Sequence, residues 1–203
     1  MKITNSLIAT HLRPLCFRTA KAGRLGLLLI AASIASYFGI IRYTGNVHVV
    51  EEGKLYRSAQ LDRNQFEQII AKYGIKSILN LRGADPGQSW YENEISISKT
   101  LEVKHFDYGI SASDVVPTEQ ANEILQIVRD APKPMLIHCQ AGADRSGLVA
   151  ALFLAEVETR PAGEAVGQLS LAYGHFPYLT SRTGAMDESF WAYVSANSAT
   201  RGM

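Results

Sequence analysis

A chain of 203 residues with 47% hydrophobic content and ordinary glycine and proline usage can bury one well-packed domain, which argues against a disordered segment or a fibrous repeat. A formal net charge of +1, with no long basic stripe carrying interleaved aromatics, argues against a nucleic-acid partner. Its two cysteines are Cys16 and Cys139, so the globular part holds a single thiol and no internal disulfide.

The first fifty residues contain Lys2, Arg13, Arg18, Lys21 and Arg24 but no Asp or Glu, which marks 1–24 as a basic head. Residues 25–41 are mostly apolar, free of charge and closed by Arg42, near the shortest length that crosses a bilayer. They are expected to form one N-terminal transmembrane helix, as an anchor or an uncleaved signal. The rival readings are a signal peptide cut among the small residues from Ala31 to Ala35, and a buried soluble helix. Because the apolar run continues through Tyr37, Phe38, Ile40 and Ile41, the anchor is preferred. With the basic flank kept in the cytoplasm, the remainder is expected beyond the membrane, in the periplasm if the cell is Gram-negative. A linker over 42–48 then leads to a single domain over 49–203.

Within that domain strand and helix signals alternate. Lys54–Gln60 reads as a short strand, and Leu61–Tyr73 as an amphipathic helix stopped by Gly74. Lys76–Leu81 has strand character, Trp90–Leu101 is helical, and Val103–Ile110 is a strand. Pro117 suits the first position of a helix ending near Val128, with Glu119 in its first turn. Met135, Leu136 and Ile137 form a strand apolar on both faces, as expected at the centre of a covered sheet. Ser146–Val157 reads as a buried helix, with further helices over Ala162–Tyr173 and Gly184–Ala196. The pattern predicts a three-layer α/β domain with a mainly parallel sheet of four or five strands flanked by helices.

His138-Cys139-Gln140-Ala141-Gly142-Ala143-Asp144-Arg145-Ser146-Gly147 joins the central strand to the buried helix, at the sheet end where α/β folds place ligands. A loop of this length at a helix N-terminus can turn successive N–H groups inward and form an anion nest. Cys139 would sit at its base, with its thiolate favoured by those groups, the helix dipole and Arg145. Arg145 offers a planar fork that holds two phosphoryl oxygens at once.

This segment resembles the His-Cys-x5-Arg-Ser/Thr-Gly loop of the cysteine-dependent protein-tyrosine and dual-specificity phosphatase superfamily. Lys54-Leu55-Tyr56-Arg57-Ser58-Ala59-Gln60 and Ile75–Arg82 are similar to the opening strands of its compact bacterial and atypical dual-specificity members. The resemblance implies phosphate monoester hydrolysis through a phosphocysteine on Cys139, with no metal or other cofactor. It implies that Arg145 and the loop residues Gln140, Ala141, Gly142, Ala143 and Asp144 hold the phosphoryl group. Ser146 would hydrogen-bond the sulfur as it departs, and His138 would brace the loop from behind. The general acid should be an aspartate on a loop after an earlier strand, which favours Asp114 over Asp107, a residue inside its strand. Asp144 is better suited to orient the loop or a water.

Family members that prefer phosphoinositides often carry lysines in the loop, and this loop has none. The expected substrate is phosphotyrosine on protein or, given the apolar segment, a phospholipid head group. Arg82 is placed to meet an acidic substrate or to serve as a structural ion-pair partner, and His175 and Arg182 are candidate rim residues. The rival functions are a phosphate-binding module without turnover and a sulfurtransferase.

Overall fold

The computed structural model describes residues 26, 28–30, 32–41 and 43–201. The chain divides into two units, 1–40 and 41–203. In the first, residues 32–40 are helical and exposed. Among the described residues no helix is long and apolar enough to cross a membrane. The basic head, and residues 25, 27 and 31 of the expected span, lie outside the described residues.

The second unit is built on a sheet of five strands: β1 (His48–Glu51), β2 (Leu55–Ser58), β3 (Ser77–Asn80), β4 (Lys104–Asp107) and β5 (Met135–His138). Their order is β1-β2-β5-β3-β4, parallel throughout except for the antiparallel edge strand β1. Side chains alternate between the faces, as the strand period of two requires. Leu55, Leu79, Met135 and Ile137 enter one core, whereas Tyr56, Ile78 and Leu136 enter the other.

Helices α1 (Arg63–Tyr73) and α2 (Ser89–Thr100) cover the second core through Phe66, Ile70 and Ile97. Helix α1 opens on a capping box, with Asp62 accepting from the Gln65 N–H and the Gln65 side chain returning to Asp62, and it closes on Gly74 at φ 62°. The other face is covered by α3 (Thr118–Asp130), α4 (Arg145–Glu156) and α6 (Ala185–Arg201), with the short α5 (Ala162–Ala165) beside them. Every residue of α4 from Ser146 to Ala155 is buried, as its apolar composition requires.

Two features depart from the expected elements. The helix expected over Ala162–Tyr173 is broken into α5 and two 3-10 turns, Val166–Gln168 and Leu171–Tyr173. Between the two 3-10 turns the Gln168 carbonyl accepts from Arg57 Nη1 at 2.7 Å, which draws it away from a helical partner. Residues expected as linker also fold into the domain, since Asn46 is buried and the Gly45 carbonyl accepts from the Ala59 N–H at 2.8 Å.

Candidate active site

The parallel register sets Ser58 of β2 and Asn80 of β3 level with His138 of β5, so three strand ends meet where the Cys139–Asp144 loop begins. Cys139 is buried at the base of the loop, with its Sγ 3.5 Å from Ser146 Oγ. The loop passes so close to β2 that a Cβ on Gly142, itself at φ +70°, would lie 2.5 Å from the Ala59 nitrogen. Only glycine fits that position.

Four consecutive loop carbonyls are drawn outward. The Gln140 carbonyl accepts from the Gln60 N–H at 3.3 Å, and the Ala141 carbonyl from Asn46 Nδ2 at 3.0 Å. Those of Gly142 and Ala143 accept from Arg57 Nη2 at 2.9 and 2.8 Å. In a planar trans peptide the N–H points opposite to the carbonyl, so the N–H groups of Ala141, Gly142, Ala143 and Asp144 are turned to the inside of the loop. A cradle of inward N–H groups at the start of α4 follows, and it favours an anion.

Arg57 was not anticipated from sequence as part of this site. It is fully buried, and its Nη1 donates to both the Gln168 carbonyl and Oε1, while the guanidinium lies 4.5 Å from the centroid of the Tyr173 ring. Burial pulls its pKa down to about 10, against the opposing pull of Cys139, Tyr173 and Asp144, so it remains charged at neutral pH. The signal that could have revealed it was a lone cation inside a four-residue strand with every position buried. Asn46, also unanticipated, donates a second bond to the Tyr173 carbonyl at 2.9 Å and faces His48 Nε2 through its Oδ1 at 2.8 Å.

Behind the loop, His138 is fully buried, and its Nε2 lies 2.7 Å from Glu94 Oε1. The same oxygen is 2.8 Å from His105 Nε2, and Gln60 Nε2 donates to Glu94 Oε2 at 2.8 Å. Burial alone would raise the Glu94 pKa, but His138, His105 and Gln60 outweigh it and hold the carboxyl well below its usual range.

Arg145 begins α4. Its Nη1 donates to the carbonyls of Leu81 at 3.3 Å and Ile110 at 3.4 Å, whereas its buried Nε has no protein partner. The guanidinium is thus positioned while donors remain for a ligand.

The three candidate carboxylates have different surroundings. Asp107 is engaged on both oxygens, accepting from Asn80 Nδ2 at 2.8 Å and from the Tyr91 hydroxyl at 2.6 Å. That hydrogen bond, with burial adding to it, pushes the Tyr91 phenol up to about 12. Asp114 stands on the irregular segment after Ile110, exposed, with Oδ1 3.6 Å from an equally exposed Arg182. Asp144 turns its Oδ1 to His175 Nδ1 at 2.7 Å, and His175 Nε2 reaches Asp187 Oδ2 at 2.8 Å. The rim position expected for His175 is therefore corrected: it is buried, and two carboxylates clasp it. Among the described residues no three His, Cys, Asp or Glu side chains are grouped to hold a metal ion.

A family model described as the tyrosine phosphatase family matches residues 38–162. Among solved structures, a mutant form of Tk-PTP superposes with a TM-score of 0.57 at 19% identity, covering 75% of this chain and 97% of that one. The core catalytic domain of the PP-IP phosphatase SIW14 from S. cerevisiae, in complex with citrate, gives 0.55 at 20% identity over 75% and 93%. A variant of P. aeruginosa TpbA in complex with pTyr gives 0.54 at 18% identity over 74% and 91%. At these identities the likeness is one of fold. No curated protein sequence matches the chain.

Proposed function

The chain belongs to the tyrosine phosphatase family and is a cysteine-dependent phosphatase, and on that premise we propose that it hydrolyses phosphate monoesters through a phosphocysteine on Cys139. One observation carries this reading: a buried thiol at the base of a loop whose four carbonyls are held outward by Gln60, Asn46 and Arg57. The phosphoryl group sits on the inward N–H groups of Ala141 to Asp144 and on the Arg145 fork, and these stabilise the charge as it is transferred. The Cys139 thiolate forms the S–P bond as the bond to the leaving oxygen breaks. Asp114 supplies the proton to that oxygen, from a loop that starts at the carbonyl anchoring Arg145 and is free to approach. Water then cleaves the S–P bond, and the Ser146 hydroxyl eases departure of the sulfur. Asp144 orients the loop, and His138 braces it against Glu94.

The favoured substrate is phosphotyrosine on protein. TpbA was solved with pTyr, and a loop without lysine at Gln140, Ala141, Ala143 and Asp144 is poorly matched to a highly phosphorylated inositol ring. A phospholipid head group is the second reading, favoured by the apolar run 25–41 as a single-pass tether with the catalytic domain beyond the membrane. A reporter fused after Met203 should be active only outside the cytoplasm; cytoplasmic activity overturns the tether.

Acid quenching during turnover of a labelled phosphotyrosine peptide should trap phosphate on Cys139. Cys139→Ser should trap none and lose all but a few per cent of turnover, while still binding phosphate. Turnover by that variant at the unaltered rate would remove the cysteine mechanism.

A further inference from the structure

Arg82 has no task in the mechanism above, yet it stands beside it. It follows β3, and the residue before it holds the site together: the Leu81 N–H donates to the His138 carbonyl at 2.9 Å, and the Leu81 carbonyl accepts from Arg145. The Arg82 backbone N–H is itself fixed to Asn80 Oδ1 at 2.9 Å. Its guanidinium lies flat against Trp90, 3.4 Å from the ring centroid, and Nη1 donates to Gln60 Oε1 at 3.0 Å. Both partners are neutral. Among the described residues no carboxylate forms an ion pair with Arg82, and Glu94, the acid nearest in this network, is already taken by two histidines and by Gln60. Burial and the charge of Arg145 pull the Arg82 pKa down, and they outweigh Glu94, Asp85 and Cys139, which pull it up.

A half-buried guanidinium held by an aromatic ring and an amide, next to a like charge and with Glu94 and Asp85 acting on it without a direct ion pair, is a preorganised cation with donors to spare. Its two partners, Gln60 and Trp90, also line a groove of about 320 Å³ with Leu61, Asp62, Arg63 and Ser89 among others. Gln60 and Trp90 belong to both the shelf and the groove, and the Gln60 N–H also holds the Gln140 carbonyl of the catalytic loop. Through these two residues the Arg82 shelf adjoins both the groove and the catalytic loop.

We infer that Arg82 on its Trp90 shelf is a second anion subsite, which selects phosphotyrosine segments carrying an acidic group next to the scissile phosphate. This rests on the phosphatase reading above and names the substrate class within it. A carboxylate there gains a charge-assisted, two-pronged partner, and its charge offsets the repulsion between Arg82 and Arg145.

The test compares, on the full chain, phosphotyrosine peptides that differ only by Glu or Gln beside the phosphotyrosine, with p-nitrophenyl phosphate and an inositol bisphosphate as further arms. The unaltered enzyme should favour the Glu peptide roughly tenfold in kcat/KM, mainly through KM, and the preference should shrink with salt. Arg82→Gln should bring the ratio close to one, Arg82→Lys should restore part of it, and Trp90→Ala should reduce it severalfold. A ratio near one in the unaltered enzyme, or one that survives both Arg82→Gln and Trp90→Ala, overturns the subsite. A stronger gain on the inositol bisphosphate than on the Glu peptide keeps the anion subsite but assigns it to a second phosphate, which overturns the peptide class. Failure of the unaltered enzyme to turn over p-nitrophenyl phosphate would instead strike at the phosphatase reading itself.

Discussion

Replacing Arg57 by Met tests whether the catalytic loop owes its shape to a side chain behind it. Methionine keeps most of the volume beside Tyr173 but removes every donor. The carbonyls of Gly142, Ala143 and Gln168 and the Gln168 side chain lose their partner together. An unsatisfied buried polar group costs about 1–3 kcal/mol, and relaxation of Gln168 recovers some of it, so a loss of about 3–5 kcal/mol is expected. That is a large share of the roughly 5–15 kcal/mol that stabilises an ordinary domain. Loss of one preorganised donor to a transition-state oxyanion typically costs about 100-fold or more, and here the Ala143 and Asp144 N–H groups are released at once, so turnover should fall by at least about 100-fold. Urea unfolding reads the stability through a shifted midpoint at constant slope, and initial rates on p-nitrophenyl phosphate at low denaturant read the activity. Arg57→Lys, which keeps a charge but not the fork, should fall between the two. A methionine variant within about 1 kcal/mol of the parent and within threefold of its rate would refute the clamp, since exposed substitutions have effects of that size.

His175 makes stability depend on pH above the ordinary imidazole value. A carboxylate only accepts, so the contacts to Asp144 and Asp187 both need a ring N–H, and the doubly protonated ring satisfies them; burial opposes that charge, but the two carboxylates outweigh it and the pKa is raised. Its contribution is therefore complete below the ordinary imidazole value of about 6.5 and is lost as pH rises through the higher folded value. Unfolding free energies measured up the pH scale should decline in that window, and His175→Gln should abolish the decline; equal slopes in the two proteins would contradict the argument. For the general acid, Asp114→Asn should slow phosphotyrosine or phosphoserine substrates about 100-fold while sparing an activated aryl phosphate, and Asp107→Asn should chiefly lower the melting temperature by stripping Asn80 and Tyr91 of a charged partner. The reverse pattern would move the acid to Asp107.

Much of this architecture is legible in the chain because its signals are local. Met135 to Ile137, apolar on both faces and preceded by Pro132 and Pro134, reads as a central strand, and Ser146–Val157, apolar nearly all round, reads as a buried helix. The motif between them located Cys139, Arg145 and Ser146 for the same reason. What stayed hidden depends on partners far along the chain. Arg57 lies more than eighty residues from the carbonyls it holds, and nothing adjacent to it announces them. The helix expected through Gln168 was misjudged because propensity does not register a carbonyl claimed by a distant guanidinium. His175 sits in a stretch between two expected helices that reads as rim, and only the return of α6 brings Asp187 against it.

Three arginines illustrate how the same side chain is given different work by its acceptors. In the parallel register Ser58, Asn80 and His138 are level, which sets Arg57 just before the end of one strand and Arg82 just after the end of another, with Arg145 at the start of the helix that follows the third. Arg57 spends both terminal nitrogens on carbonyls, so its charge shapes the loop. Arg145 spends one nitrogen on two carbonyls, which fixes it while leaving donors for phosphate. Arg82 spends one nitrogen on a neutral amide and sets its guanidinium over a ring, so it too keeps donors for a ligand. The loop's own carboxylate, Asp144, is turned to His175. Around a buried thiol the protein thus concentrates positive charge and aligned N–H groups before any substrate arrives, and the energetic cost is offset when the thiolate forms or a phosphate binds. Specificity then depends on the cations that keep donors for a ligand, Arg145 toward the phosphate and Arg82 beside it, since a cation with all its acceptors in place cannot discriminate between ligands.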